Sequence, residues 1–217
     1  MSRGQFSFDY REAGQAALEF SIAALTLLLA AWALYEGMLW HRQRQILHLA
    51  LLDAARAASF SHIHPQTMAR ALEAGLKALP HDDQDRLAAQ DLRRWRLEVL
   101  QPGEAHYRRH GRQLRGLPSP AIRNDYQAEQ QAARPGSPSI HEANMLRLRL
   151  TYASAPATPF LAALLPALAG LTADPCRRAL LAAGWLPLRL ELTLEMHSHA
   201  VRWPDSAGVN TRSRPCG

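Results

Sequence analysis

Gly14-Gln15-Ala16-Ala17-Leu18-Glu19-Phe20 leads directly into SIAALTLLLAAWALYEGMLW, residues 21–40. The apolar run from Phe20 to Trp40 has Tyr35 and Glu36 as its only ionisable side chains. Twenty-one residues rising about 1.5 Å each give roughly 31 Å, the thickness of a hydrocarbon core of about 30 Å. Leu, Ala and Ile dominate and no proline interrupts the run. Trp32, Tyr35 and Trp40 gather toward its far end, where amphipathic rings favour the membrane–water boundary. The stretch predicts a single helix that spans a bilayer once.

Two other readings of the run fit less well. A secretory signal peptide would use Phe20–Ala30 as its apolar region and Ala31-Trp32-Ala33 as a small-residue cleavage site. Such a peptide needs a basic head, whereas Arg3 and Arg11 are balanced here by Asp9 and Glu12, and Glu19 abuts the apolar core. A buried helix of a soluble protein would keep one polar face, but this run is apolar on all sides for about six turns.

An acidic side chain at a membrane edge carries a desolvation cost and usually marks a function or a partner. Glu19 stands at that edge. The bland alternative is a boundary glutamate lying among lipid headgroups.

The junction resembles a type IV prepilin processing site: a glycine, small or apolar residues, one glutamate, and an aromatic that opens a membrane-length helix. The chain as a whole resembles the TadE-like family of pseudopilins from tight-adherence (Flp-type) pilus systems. Leu51-Leu52-Asp53-Ala54-Ala55-Arg56-Ala57-Ala58 is similar to the alanine-rich segment that follows the membrane helix in that family. Residues 142–152 (EANMLRLRLTY) with Thr158-Pro159-Phe160-Leu161 resemble its central strand and the proline-bearing segment after it, and residues 186–196 (LPLRLELTLEM) its closing strand.

The resemblance implies cleavage between Gly14 and Gln15 by a prepilin peptidase, with residues 1–14 as a cytoplasmic leader. Gln15 would become the new N-terminus and Glu19 its fifth residue, one helical turn away. There the Glu19 carboxylate, beside Phe20, would pair with the N-terminal amine of a neighbouring subunit and neutralise two charges that neither could bury alone. The implied partners are other pilins or pseudopilins, inner-membrane pilus-assembly proteins and membrane lipid. The implied location is the bacterial inner membrane, N-terminus in the cytoplasm and C-terminal body in the periplasm. Arginine counts run the other way, with Arg42, Arg44 and Arg56 beyond the helix against Arg3 and Arg11 before it.

Beyond Trp40 helical character continues to about Ser59, because Ile46, Leu47, Leu49, Ala50, Leu51, Ala54, Ala57 and Ala58 recur without Pro or Gly. A helix over 15–60 would be about 68 Å long and serve as a stalk. Residues 61–217 then form a small α+β extracytoplasmic domain. Pro65 starts a second helix and Pro80 ends it; Asp82–Gln90 is a charged turn or short helix. Alternation predicts strands near 94–100, 145–152 and 187–197, which make a short antiparallel sheet with its apolar face on the stalk. Phe160–Leu171 and Arg177–Leu181 read as short helices broken by Pro166 and Pro175. At twelve residues the first is too short to span and is expected to be buried or interfacial. Residues 104–141, polar and rich in Pro, read as a long, partly ordered loop.

The net charge of +6 rests on arginine, Lys77 being the only lysine, and removal of residues 1–14 leaves it unchanged. These arginines are scattered and often alternate with apolar residues, which predicts a solvated face rather than a nucleic-acid surface. Cys176 and Cys216 are the only cysteines and form a candidate disulfide in an oxidising periplasm. His62-Ile63-His64 and His197-Ser198-His199 each space two imidazoles to face one way on a strand, but no metal-binding motif accompanies them, so surface histidines are expected. No GxSxG elbow or glycine-rich phosphate loop occurs. The chain is therefore expected to be neither an enzyme nor dependent on a metal or cofactor. An uncleaved, single-pass, membrane-anchored periplasmic binding or scaffold protein is the alternative to a pseudopilin.

Overall fold

The computed structural model describes residues 10–79, 84–90 and 92–203, with side chains from Gln15 onward. Two compact units result, 1–42 and 43–217. Helix α1 (Tyr10–Phe60) belongs to both and is one continuous helix of 51 residues. It starts five residues earlier than the sequence suggested and so runs through the Gly14–Gln15 bond. Among the described residues it is the one helix long and apolar enough to cross a membrane.

The body begins inside α1, at Gln43, not at residue 61. The reason is packing. Leu47, Ala50, Leu51, Ala54, Ala55 and Ala58 recur at helical spacing and are all buried. They lie against a three-stranded antiparallel sheet of β1 (Trp95–Gln101), β4 (Met145–Ser154) and β5 (Leu186–Glu195), in the order β1-β4-β5. Register places Leu97 opposite Leu150 and Val99 opposite Leu148; on the other side of β4, Leu150 faces Leu190 and Leu148 faces Leu192. Period-two alternation thus turns every second residue of β4 toward α1, with Leu146, Leu148, Leu150 and Tyr152 buried. The three strands and the contact of their apolar face with the helix match expectation.

Helix α2 (Pro65–Leu76) packs Met68, Leu72 and Leu76 into the same core. It ends before Pro80, which lies outside the described residues. Its approach to α1 is close: a Cβ added at Gly75 would sit 2.6 Å from the Ala50 Cβ and 2.8 Å from the Ala50 Cα. Between α2 and β1 lies α3 (Gln84–Ala89). Leu87 joins Ala153, Cys176, Leu180 and Trp185 in a second apolar cluster, where the Trp185 Nε1–H donates to Gln90 Oε1 at 2.7 Å.

The segment 104–141 corrects the reading as a loop. It holds α4 (Glu104–His110), β2 (Gly111–Arg112), β3 (Ala121–Ile122), α5 (Gln127–Ala133) and the start of α6 (Ile140–Ala143). With β6 (Ala200–Val201), β2 and β3 make a second antiparallel sheet in the order β2-β3-β6. Ile122 and Ile140 anchor this segment in the main core. Side-chain amides supply many of its backbone partners: Asn144 Nδ2 donates to the Arg123 and Ile140 carbonyls, Asn124 Nδ2 to the Met196 carbonyl, and the Ile140 N–H to Gln131 Oε1. Part of its polar composition thus serves internal hydrogen bonds, while much of the segment's surface stays exposed.

After β4 the chain forms α7 (Pro159–Leu168), a 3₁₀ turn at Ala169–Leu171, and α8 (Pro175–Ala182). Pro166 sits inside α7 instead of breaking it. Having no N–H, it cannot donate to the Ala162 carbonyl, and Gly184, at φ +80°, comes up to that oxygen: a Cβ there would lie 3.3 Å from it. Pro175 opens α8, with the Asp174 carboxylate accepting from the Cys176 and Arg177 N–H groups.

Helix propensity and packing make opposite predictions for Gly75. Alanine is the better helix former by about 1 kcal/mol, yet overpacking against the Ala50 backbone costs about 1–3 kcal/mol. Gly75→Ala is expected to lower the thermal midpoint of the full chain in detergent, read by near-UV circular dichroism. A raised midpoint would show that α1 and α2 are not in this contact.

Candidate processing and assembly site

Gln15 lies one turn of α1 before Glu19 and Phe20, and all three side chains are exposed. The Gln15 Nε2–H donates to Glu19 Oε1 at 3.1 Å, one turn along the helix. A carboxylate accepts more hydrogen bonds than this one, so Glu19 retains lone pairs for an incoming amine. Phe20 is 74% exposed, and Leu18, Ile22, Leu25, Leu27, Leu28 and Leu29 are exposed around it. The segment offers one acidic group on an otherwise apolar surface.

Its internal polar groups are satisfied by the helix itself. Ser21 Oγ donates to the Ala17 carbonyl at 2.8 Å and Thr26 Oγ1 to the Ile22 carbonyl at 2.9 Å. Hydrocarbon supplies no water to such hydroxyls, so bonding back to the preceding turn suits a lipid environment. Gly14 lies within α1, and only its backbone is described. Glycine weakens a helix interior by roughly 0.5–1 kcal/mol relative to alanine, so the helix is less stable here than an alanine would make it. Residues 1–9 of the expected leader lie outside the described residues.

The sheet carries a charged surface opposite its core face. Arg149 stands across from Glu191 in the β4–β5 register, with Arg147 two residues along and Arg189 two residues back on β5. All three guanidinium groups reach the one carboxylate, at 2.8 Å from Arg149, 2.5 Å from Arg147 and 2.9 Å from Arg189. Their bonds push the Glu191 carboxyl down to about 2, the Arg147 bond contributing most. These arginines, expected to be a solvated face, are tied into a network of ion pairs along the strands.

Both histidine pairs meet at the end of α1, a juxtaposition the sequence did not disclose. Neither pair lies on a strand. His62 and Ile63 follow α1 with φ of 59° each, the left-handed conformation that glycine normally supplies at a helix end. The Ile63 N–H donates to the Ala58 carbonyl at 3.0 Å, while the Ser59 carbonyl accepts from Ser198 Oγ at 2.8 Å and the His197 N–H at 3.2 Å. His62 Nδ1 donates to the His199 carbonyl at 3.0 Å, and the His197 ring stacks on Phe60 with centroids 4.9 Å apart. The imidazoles thus fasten the β5–β6 bend to the end of α1. Among the described residues no group of three or more His, Cys, Asp or Glu is placed to hold a metal ion.

Cys176 is buried at the start of α8, and Cys216 lies outside the described residues. Comparison of the chain with family models, characterised proteins and solved structures returns no match. The functional reading therefore rests on the chain's own residues.

The Glu191 network carries a pH signature. A carboxyl held below its ordinary value of about 4.3 stabilises the fold fully above that value, and the contribution disappears as pH falls through about 2. Glu191→Gln is expected to cost about 1 kcal/mol at neutral pH, a surface-network magnitude. That difference from the parent chain should shrink progressively between about pH 4 and pH 2, in thermal melts of both proteins. A difference that stays constant across this range would show that the network is not formed.

Proposed function

We propose that the chain is a minor pilin or pseudopilin of the TadE-like kind, cleaved after Gly14 and held in the inner membrane by residues 15–40. The observation that carries this reading is the Gly14–Phe20 junction at the head of a helix whose surface is apolar and exposed along Phe20–Leu34. A surface of that kind has two natural surroundings, lipid and the helices of other subunits. A pilin uses both, first in the membrane and then in the fibre or its assembly machine.

On this reading the leader lies in the cytoplasm and the body in the periplasm. Assembly proceeds by packing of α1 against neighbouring helices, with the Glu19 carboxylate meeting the terminal amine of Gln15 in the next subunit. Burying either charge alone would be costly, so the pair selects one stagger between subunits. Prepilin peptidase, other pilins or pseudopilins and inner-membrane assembly proteins are the partners. In that oxidising compartment Cys176 and Cys216 pair, which fastens the end of the chain to α8.

A second reading has its own observation. Because α1 runs without interruption from Tyr10 through residues 14 and 15, a peptidase must unwind a turn to reach the Gly14 carbonyl. A chain left uncleaved would be a membrane-anchored periplasmic binding or scaffold protein. N-terminal mass analysis of the protein from its own host, with active prepilin peptidase present, separates the two. A mature chain starting at Gln15 is expected, and intact Met1 would sink the pseudopilin reading.

Glu19→Ala is expected to leave cleavage and membrane insertion intact but to reduce assembly, scored as surface pili and as co-purification of other pilins. Unchanged piliation would remove Glu19 from the mechanism.

A further inference from the structure

We infer that the Gln15–Glu19 hydrogen bond guards the amine that cleavage exposes, by keeping the Gln15 side chain from closing onto it as a lactam. This deepens the reading above and rests on cleavage after Gly14.

Cleavage of the Gly14–Gln15 bond puts a glutamine at the N-terminus, and a terminal glutamine can react with itself. Its α-amine attacks the side-chain Cδ, the new N–Cδ bond closes a five-membered ring, and the Cδ–Nε2 bond breaks. The amide nitrogen leaves as ammonia, carrying the proton that the amine gives up. Nucleophile and electrophile belong to one residue, so no further reactant is needed and proximity favours the step. The product is uncharged at its terminus. Such a chain has no ammonium group to offer the Glu19 carboxylate of a neighbour, and a carboxylate buried alone is costly.

The helix opposes that reaction before it begins. Gln15 Nε2–H donates to Glu19 Oε1 at 3.1 Å across one turn of α1, and among the described residues this is the one hydrogen bond of the Gln15 side chain. The Gln15 backbone nitrogen lies on the N-terminal side of its Cα, whereas Glu19 lies a turn toward the C-terminus. A side chain that reaches Glu19 therefore carries Cδ away from its own nitrogen. Reaching and closing exclude each other. Because Gln15 is exposed, no packing against another element fixes its side chain, and the bond to Glu19 does so alone. Both partners stand on the C-terminal side of the cleaved bond, so cleavage removes neither.

Glu19 then acts twice. It holds the Gln15 amide until subunits meet, and afterwards it pairs with a neighbour's amine, which as an ammonium has no lone pair with which to attack.

The full chain in detergent is cut with purified prepilin peptidase, the peptidase is removed, and the mature chain is kept at about pH 8, where a terminal amine is about half unprotonated. Intact mass follows the fraction lighter by one ammonia, with chain treated with glutaminyl cyclase as the converted reference. Glu19→Ala is expected to convert about two- to fivefold faster than the parent, the factor that one net hydrogen bond supplies. Glu19→Gln keeps an acceptor oxygen without the charge and is expected to convert at the parent rate. Equal rates in all three chains, or slower conversion of Glu19→Ala, overturn the proposal and leave the cleaved reading intact. Fast conversion of both variants assigns the protection to the carboxylate's charge and overturns the proposal equally. A chain that keeps Met1 in the presence of the peptidase overturns both.

Discussion

The seating of α1's small residues on the leucine face of the sheet is the contact on which the rest of the body depends. Ala54, Ala55 and Ala58, with Leu47 and Leu51, share one buried cluster with the strand leucines, while Ala50 receives Gly75 of α2. The same helix is apolar on every side below Trp40 and one-sided above Gln43. The first part is long and apolar enough to cross a membrane, and the second buries one side in the body's core.

That arrangement accounts for where the charge goes. A strand with one face committed to α1 has only its other face for polar residues, so arginines and glutamates of β1, β4 and β5 line up across the sheet. Arg147, Arg149 and Arg189 meet Glu191, and Arg96 meets Glu98, within the sheet.

Legibility followed local periodicity. The long helix, α2 and the strands of the main sheet show in the sequence because repeats of 3.6 or 2 residues extend over many positions. Residues 104–141 do not, since two-residue strands such as Ala121–Ile122 carry no period, and Ile122 and Ile140 look like isolated apolar residues in a polar stretch. One signal was available there: Ser139-Ile-His-Glu142 is a capping box, and Ser139 and Glu142 exchange the two bonds that define it. At the candidate site the sequence marks Gly14, Gln15, Glu19 and Phe20, and the structure adds the bond between Gln15 and Glu19. The meeting of His62 with His199 was illegible because their separation in the chain is closed only by the sheet.

The sequence by itself determined that one helix is long and apolar enough for a membrane, that an acidic residue stands at its head, and that alternating strands follow. Those are properties of neighbouring residues and need no partner to be expressed. Only the tertiary structure decided that the body begins at Gln43, that the polar segment after β1 is folded, and that α7 turns its apolar face outward. Each depends on which surfaces meet. Burial is a property of pairs of elements distant in sequence, and no local pattern records which face of a short apolar helix will find a neighbour.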